Sequence, residues 1–371
     1  MGHFPVNILL LEPYCTGSHR SWAEGYKKHS KHNITILSLP GRFWKWRMHG
    51  GAVTLAKEFL KLKESFDLIL ATDMLDLTTF LSLTRKQTSG IPTAVYFHEN
   101  QLSYPWSPDD RDILEKRDKH YGFINFTSAL TADKVLFNSE YHRSSFFSEL
   151  PNLLKHFPDY NELDSIKEIE SKSSVLYLGM DLKRLDQHQS KQNGAPVILW
   201  NHRWEYDKNP KSFFYLLTTL MENGYDFKVV ILGENFSESP IEFQENIEKL
   251  GDRIVYSGFA ESFEEYAHWL WKSDILPVTS IQDFFGASIM EAVYCGCHPI
   301  LPVRLTYPEL FPSEHLYQDE EELYEKTVSA LSQVQSIRKK SLRNTAAEYD
   351  WKIMASKYDS TFTNYMNKPI E

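Results

Sequence analysis

Two carboxylates stand eight positions apart in Asp283-Phe-Phe-Gly286-Ala-Ser-Ile-Met-Glu291-Ala-Val-Tyr-Cys-Gly296. An apolar run ends near Val278, so this segment reads as a loop entering a helix. Gly286 permits close backbone approach, and free amides at a helix start suit a phosphate. A carboxylate beside that anion would repel it, so Asp283 and Glu291 are expected to accept hydrogen bonds from sugar hydroxyls. The competing reading is an acidic helix-start residue plus a solvated helical Glu. Arg203 and Lys208 lie in Trp200-Asn-His-Arg-Trp-Glu-Tyr-Asp-Lys-Asn-Pro210, between a strand ending at Trp200 and a helix starting at Pro210. An Arg fork and a Lys point charge suit a diphosphate. In a metal-independent transferase they would stabilise a leaving nucleoside diphosphate; otherwise they are two surface cations.

A third polar segment, Phe97-His98-Glu99-Asn100-Gln101, follows the apolar run Ala94–Phe97. It is either a buried polar network or a substrate site. Glu12-Pro-Tyr-Cys-Thr-Gly17-Ser18-His19 follows the first strand, and Gly17 would let the first turn approach a ligand. This is not GxGxxG, no GxxxxGK[ST] occurs, and the histidines lack HExxH spacing, so a nicotinamide-type loop, a P-loop and a zinc hydrolase are unsupported.

These segments must be positioned by something. Val6–Leu11, Ile34–Leu39, Leu68–Thr72, Ala94–Phe97, Lys134–Phe137 and Val175–Leu178 read as strands buried on both faces, with helices at Trp22–Lys28 and Val53–Leu62. A second set reads as Val197–Trp200, Phe227–Leu232, Ile254–Ser257, Ile275–Val278 and His298–Leu301. The pattern is α/β: two Rossmann-like domains, at 1–185 and 195–345, facing a central cleft across the polar linker 186–194. A helix within 346–371, carrying Trp351, Met354, Tyr358 and Phe362, either caps the second domain or crosses back. The 371 residues contain 42% hydrophobic and 14% aromatic residues, enough for a large core without a staple. Three cysteines form no disulfide framework or zinc site, and no signal-peptide or membrane-span pattern occurs, so a cytoplasmic location is expected. A net charge of −10 argues against bulk nucleic-acid binding and leaves room for a local basic patch.

Arg203 and Lys208 followed by Asp283-x7-Glu291 resemble the retaining GT-B glycosyltransferases, with Asp283 where that family has Glu. The resemblance narrows on Glu12-Pro-Tyr-x-x-Gly-Ser-His19, Leu39-Pro-Gly-Arg-x-Trp44-Lys-Trp46-Arg-Met-His-Gly-Gly51, His98-Glu-Asn-Gln101 and Phe284-Phe-Gly…Glu-Ala-Val-Tyr-Cys-Gly-Cys297. Together these look like the tRNA-queuosine α-mannosyltransferase family. The resemblance implies a GT-B fold whose C-terminal helix packs on the first domain. It implies transfer of mannose from GDP-mannose to the cyclopentenediol of queuosine at the tRNA wobble position, with retention and no required cofactor or metal. It gives Arg203 and Lys208 to the donor diphosphate and Glu291 to the ribose. Asp283 goes to mannose hydroxyls, with Gly286, Ala287 and Ser288 supplying amides. Gly17 and Ser18 close over the diphosphate, and His98 sits near sugar and acceptor, not assigned as a base.

The acceptor side is expected at His98, Glu99, Asn100 and Gln101 and at Arg42-Phe43-Trp44-Lys45-Trp46-Arg47. Alternating cations and aromatics suit phosphate contact plus stacking on unpaired bases. The alternative is a core-facing Trp44–Trp46 pair with snorkelling Arg42 and Arg47. Lys116, Arg117, Lys119 and His120 would extend the patch or solvate a helix. Other readings are a lipid or glycan acceptor, an epimerase on a sugar nucleotide, and a non-catalytic RNA-binding protein of the same fold.

Overall fold

The computed structural model describes residues 5–106, 110, 112, 119–190, 193–233 and 241–366. The chain divides into two compact units, Met1–Met180 with Trp351–Glu371, and Asp181–Asp350. In the first unit, β1 (Asn7–Cys15), β2 (Asn33–Pro40), β3 (Leu68–Thr72), β4 (Thr93–Phe97), β5 (Lys134–Phe137) and β6 (Ser173–Val175) form one sheet in the order β2-β1-β3-β4-β5-β6. Every pairing is parallel. All residues of β3 and β4 are buried, as expected of strands covered by helices on both faces. The expected Val175–Leu178 strand pairs earlier, at Ser173–Val175. Leu176 and Leu178 are buried beyond the pairing, so hydrophobicity alone misplaced the edge.

The second unit repeats the architecture with β7 (Val197–Asn201), β8 (Lys228–Leu232), β9 (Ile254–Gly258), β10 (Ile275–Pro277), β11 (His298–Pro302) and β12 (Leu316–Tyr317). Their order is β12-β11-β10-β7-β8-β9, again all parallel. The two-residue β12 was absent from the expected set, being too short to leave a pattern. This unit begins at Asp181, before the expected linker: Trp271 Nε1 donates to Leu185 O at 2.8 Å, and Arg343 pairs with Asp186. Among the described residues, no helix is long and apolar enough to cross a membrane.

The helix Trp351–Met366 belongs to the first unit and packs on the helix Gly17–His29. Trp351, Tyr358 and Phe362 are fully buried. Trp22 Nε1 donates to Tyr358 Oη at 3.0 Å, and Tyr26 Oη donates to Asp359 Oδ1 at 3.1 Å. Gly25 and Gly179 leave the space that the Trp351 indole fills. A Cβ on Gly25 would stand 2.0 Å from Trp351 Nε1, and one on Gly179 2.4 Å from its Cζ3.

Candidate functional site

In the second unit, two loops at the carboxyl edge of the sheet are laced together. Asn209 caps the helix Pro210–Glu222 from a left-handed backbone (φ 51°), its side chain accepting from Ser212 N at 3.4 Å. Thr279 Oγ1 donates to the carbonyls of Lys208 and Asn209 at 2.9 and 3.0 Å. Lys208 is thereby held, buried, against the segment that carries Asp283. Its ammonium donates to Gln282 O at 2.6 Å and Asp283 Oδ1 at 3.0 Å, and stands 3.2 Å from Asp207 Oδ2. Three donors are thus directed at three oxygens.

Tyr307 Oη donates to the other Asp283 oxygen at 2.6 Å. Burial pushes the Asp283 carboxyl up. The charges of Lys208 and His202 and the hydrogen bonds from Tyr307 and Lys208 more than offset this, so Asp283 lies below its ordinary range. Burial lowers Lys208, but Asp283 and Asp207 raise it further, so the pair is ionised at neutral pH. Arg203 is half exposed; it stands 3.1 Å from Glu205 and 4.0 Å from Asp207.

Gly286 takes φ +81° and turns the loop into the helix Ala287–Tyr294. Its N-cap is Gly286, which has no side chain with which to cap the first amides. Glu291 lies on the same helix, its Oε2 accepting from Tyr266 Oη at 2.6 Å. Tyr266 Oη accepts in turn from Asn201 Nδ2 at 3.0 Å, and that amide also donates to Ser288 O at 2.9 Å. Burial raises the Glu291 carboxyl above its ordinary value, against the pull of Tyr266. His202 Nδ1 lies 3.4 Å from Ser288 Oγ, and burial lowers this imidazole to about 4. The structure therefore brings Lys208, Asp283, Gly286, Ala287, Ser288 and Glu291 onto two adjoining loops and one helix, with Arg203 at their exposed border.

In the first unit, Gly17 opens the helix Gly17–His29 at φ +48°, and among the described residues nothing beyond its chain neighbours and its own helix backbone lies within 4 Å of where a Cβ would project. Ser18 follows it, exposed. His19 is buried, its Nδ1 3.0 Å from Glu12 Oε2. His98 packs against it at a tilt, ring centroids 4.3 Å apart, and Trp22 and Tyr96 make edge contacts with His98 at 4.7 and 4.9 Å. The backbone of His98 is clamped on both sides: its N–H donates to Asp73 Oδ1 at 2.8 Å, and its carbonyl accepts from Asn138 Nδ2 at 2.9 Å. Burial, then the nearby His19 and His142, holds the His98 imidazole well below its ordinary value, so it is neutral. Asn100 spends its carbonyl on the turn, accepting from Leu102 N and Ser103 N at 3.0 and 2.9 Å. Gln101 donates to Glu99 Oε1 at 3.0 Å. His98–Gln101 is thus a positioned turn, whose Asn100 is a structural capping residue.

The Arg42–Arg47 segment starts the helix Trp44–Phe59, and its two tryptophans part company. Trp44 is half-buried, in tilted ring contact with Trp106 and Tyr121 at 6.1 and 5.0 Å. Trp46 is 62% exposed and Phe43 77% exposed, Phe43 with a left-handed backbone at φ 56°. Lys45 is engaged by Asp110 and Asp112 at 2.5 Å each, which removes it as a free phosphate contact. Arg42 is exposed, and Arg47 Nε donates to Pro40 O at 3.1 Å. The expected core-facing Trp pair therefore describes Trp44 alone. Lys119 and His120 begin the helix Lys119–Thr131, and Lys116 and Arg117 lie outside the described residues.

Sequence reasoning missed Asp207, Tyr266, Tyr307, Asn201 and His202, and it quoted Glu12 and His19 without giving them roles. Tyr266 and Tyr307 lie about 25 positions from their carboxylates, and no local pattern reports such a pairing. Glu12 carried one readable signal: an acidic residue inside an otherwise apolar strand needs a partner.

Residues 7–180 match the family model for the N-terminal part of tRNA-queuosine α-mannosyltransferases, and residues 183–339 match that of glycosyl transferases group 1. A tRNA-queuosine α-mannosyltransferase of Drosophila melanogaster is 36% identical over 330 residues, covering 86% of this chain and 85% of the fly protein. Among solved structures, a sucrose-phosphate synthase from Thermosynechococcus elongatus superposes with a TM-score of 0.69 at 13% identity, covering 97% of this chain and 99% of that one. A glycosyltransferase from Rickettsia africae gives 0.68 at 17% identity, covering 99% and 100%. Anabaena HepE in complex with UDP and glucose gives 0.67 at 15%, covering 96% and 99%. These structural likenesses establish the GT-B fold.

Proposed function

The chain belongs to the tRNA-queuosine α-mannosyltransferase family, and from that premise we propose that it moves mannose from GDP-mannose to the cyclopentenediol of queuosine in the tRNA anticodon, with retention of configuration. The observation that carries this reading is the Lys208–Asp283–Tyr307 network beside the uncapped start of the Ala287–Tyr294 helix. It joins a buried cation and free amides, which suit phosphate, to fixed carboxylates, which suit sugar hydroxyls.

In this reading Arg203 and Lys208 meet the donor diphosphate and stabilise the charge that grows as the glycosidic bond breaks. To do so Lys208 exchanges an oxygen partner for a phosphate oxygen, while Tyr307 keeps Asp283 oriented. Asp283 accepts from mannose hydroxyls, and the amides of Gly286, Ala287 and Ser288 lie alongside. Glu291, aimed by Tyr266, takes the ribose hydroxyls. Gly17 and Ser18 offer first-unit amides to phosphate oxygens. Neutral His98 hydrogen-bonds rather than transfers a proton, and the leaving phosphate receives the acceptor hydroxyl's proton. Glu99 and Gln101 supply acceptor hydrogen bonds on the turn that Asn100 holds, and Arg42, Trp46 and Arg47 contact the tRNA, with Trp44 as their packed support. The charge of the leaving group is met by these residues, and no metal or cofactor is required.

Retention makes a direct test. Queuosine-containing tRNA treated with the protein and GDP-mannose should gain a sugar that α-mannosidase removes and β-mannosidase leaves. Removal by the β-specific enzyme alone would contradict retention.

A further inference from the structure

Glu12 is fully buried within β1, where the pairing with β2 shifts register between Glu12 and Cys15. An ionised carboxylate in that position needs its lone pairs met. Its Oε1 accepts from Tyr14 N at 2.8 Å, and its Oε2 is met by His19 Nδ1 at 3.0 Å. The carboxylate therefore fixes both the ring plane and the proton of His19: Nδ1 donates to Glu12. Among the described residues no hydrogen bond is given to Nε2. His19 sits in the first turn of a 13-residue helix that has no side-chain cap and no acidic residue in that turn. Its imidazole packs at a tilt against that of His98, which is 8% exposed and whose Nε2 has no partner among the described residues. Uncapped amides, a partnered imidazole and an unpartnered buried one thus converge at the start of one helix.

We infer that Glu12 and His19 form a charge-holding pair, with His19 as an imidazolium that donates from Nε2 to a phosphate oxygen of a nucleoside diphosphate and Glu12 as the positioning residue that keeps it charged. This rests on reading the Gly17–Ser18 turn as a phosphate contact, and adds to that turn a cation whose charge depends on a buried carboxylate. The groups facing His19 are Glu12 on β1, Asp73 after β3, and Glu99 and His98 after β4. Burial alone would lower His19; Glu12 chiefly, then Asp73 and Glu99, raise it to about 9. His19 is therefore charged up to about pH 9 while Glu12 is present. With Glu12 neutralised, burial is opposed only by weaker neighbours, and His19 loses its proton at a lower pH.

The test is GDP binding by the full chain between pH 5.5 and 9, by calorimetry, for wild type, His19→Gln and Glu12→Gln, each shown to be folded at the binding temperature by a cooperative melting transition. Wild type should bind with little pH dependence up to about pH 8. His19→Gln should bind about tenfold more weakly at every pH, the scale of one lost charge-assisted hydrogen bond. Glu12→Gln should resemble wild type most at pH 5.5 and His19→Gln at pH 8.5. That crossing separates a charge effect from damage to the fold, because a merely structural lesion would not recover on acidification. Equal GDP affinity in wild type and His19→Gln, or a Glu12→Gln profile parallel to wild type, would overturn the inference. So would a defect confined to the KM for tRNA, since the phosphate would then be the acceptor's. Loss of transfer in all three proteins, with the GDP-binding pattern intact, would instead count against the proposed reaction and leave the pair standing.

Discussion

Lys208 and Asp283 can be tested singly because each stabilises the other. Lys208→Ala would leave Asp283 and Asp207 buried without their cation. Removing one member of a buried pair costs about 3–5 kcal/mol, so transfer should fall by on the order of a hundredfold or more, with a lowered melting point. Steady-state kinetics with a melting scan checks both. Tyr266→Phe should be milder: Glu291 loses its aim and its carboxyl is raised further, raising donor KM by roughly three- to tenfold for one hydrogen bond. Unchanged donor KM would separate Glu291 from the ribose. Arg203, Lys208, Asp283 and Glu291 were legible as candidates because charged side chains in short loops beside apolar runs stand out. Tyr266 and Tyr307 were not, because a tyrosine's partner is set by tertiary packing rather than by spacing.

Elements carry their own pH dependence. Burial holds His202, in the loop after β7, at about 4, and His298, on β11, at about 4. Unfolded, each takes up a proton near 6.5. Their folded pKa values are depressed, so the stability they contribute is full above pH 6.5 and is lost as pH falls towards 4, on the order of 3 kcal/mol for His202. His19 runs the other way: its contribution is full below 6.5 and fades as pH rises through about 9. Melting scans at pH 4.5 and 7 should show acid destabilisation that His202→Gln reduces. Strand and helix cores were largely readable from sequence, as β3 and the Asn209–Pro210 helix start attest. The ends were less so: the helix Gly17–His29 begins five residues before the first apolar turn expected at Trp22, because Gly17 and Ser18 carry no hydrophobic signal.

At the scale of the whole chain, the return of the last helix is the feature with the plainest consequence. Trp351 occupies the space left by Gly25 and Gly179, so Gly25→Ala forces a methyl group into the indole and should cost at least 1–3 kcal/mol of overpacking. Truncation after Asp350 should be worse, exposing Trp22, Tyr26 and Tyr96 together and leaving the first unit unable to hold its native melting transition. The stripe of Trp351, Met354, Tyr358 and Phe362 announced a buried helix, but periodicity does not name the surface that buries it; the two glycines and Trp22 do. The transfer itself is tested by a single incubation. The purified protein is incubated with GDP-mannose and either queuosine-containing or queuosine-free tRNA, with UDP-sugars as parallel donors, and the digested nucleosides are read by mass spectrometry. One added hexose is expected on queuosine, only with GDP-mannose and only in the queuosine-containing tRNA. No hexose on queuosine from a preparation that binds GDP, or an equal yield from UDP-sugars, would contradict it.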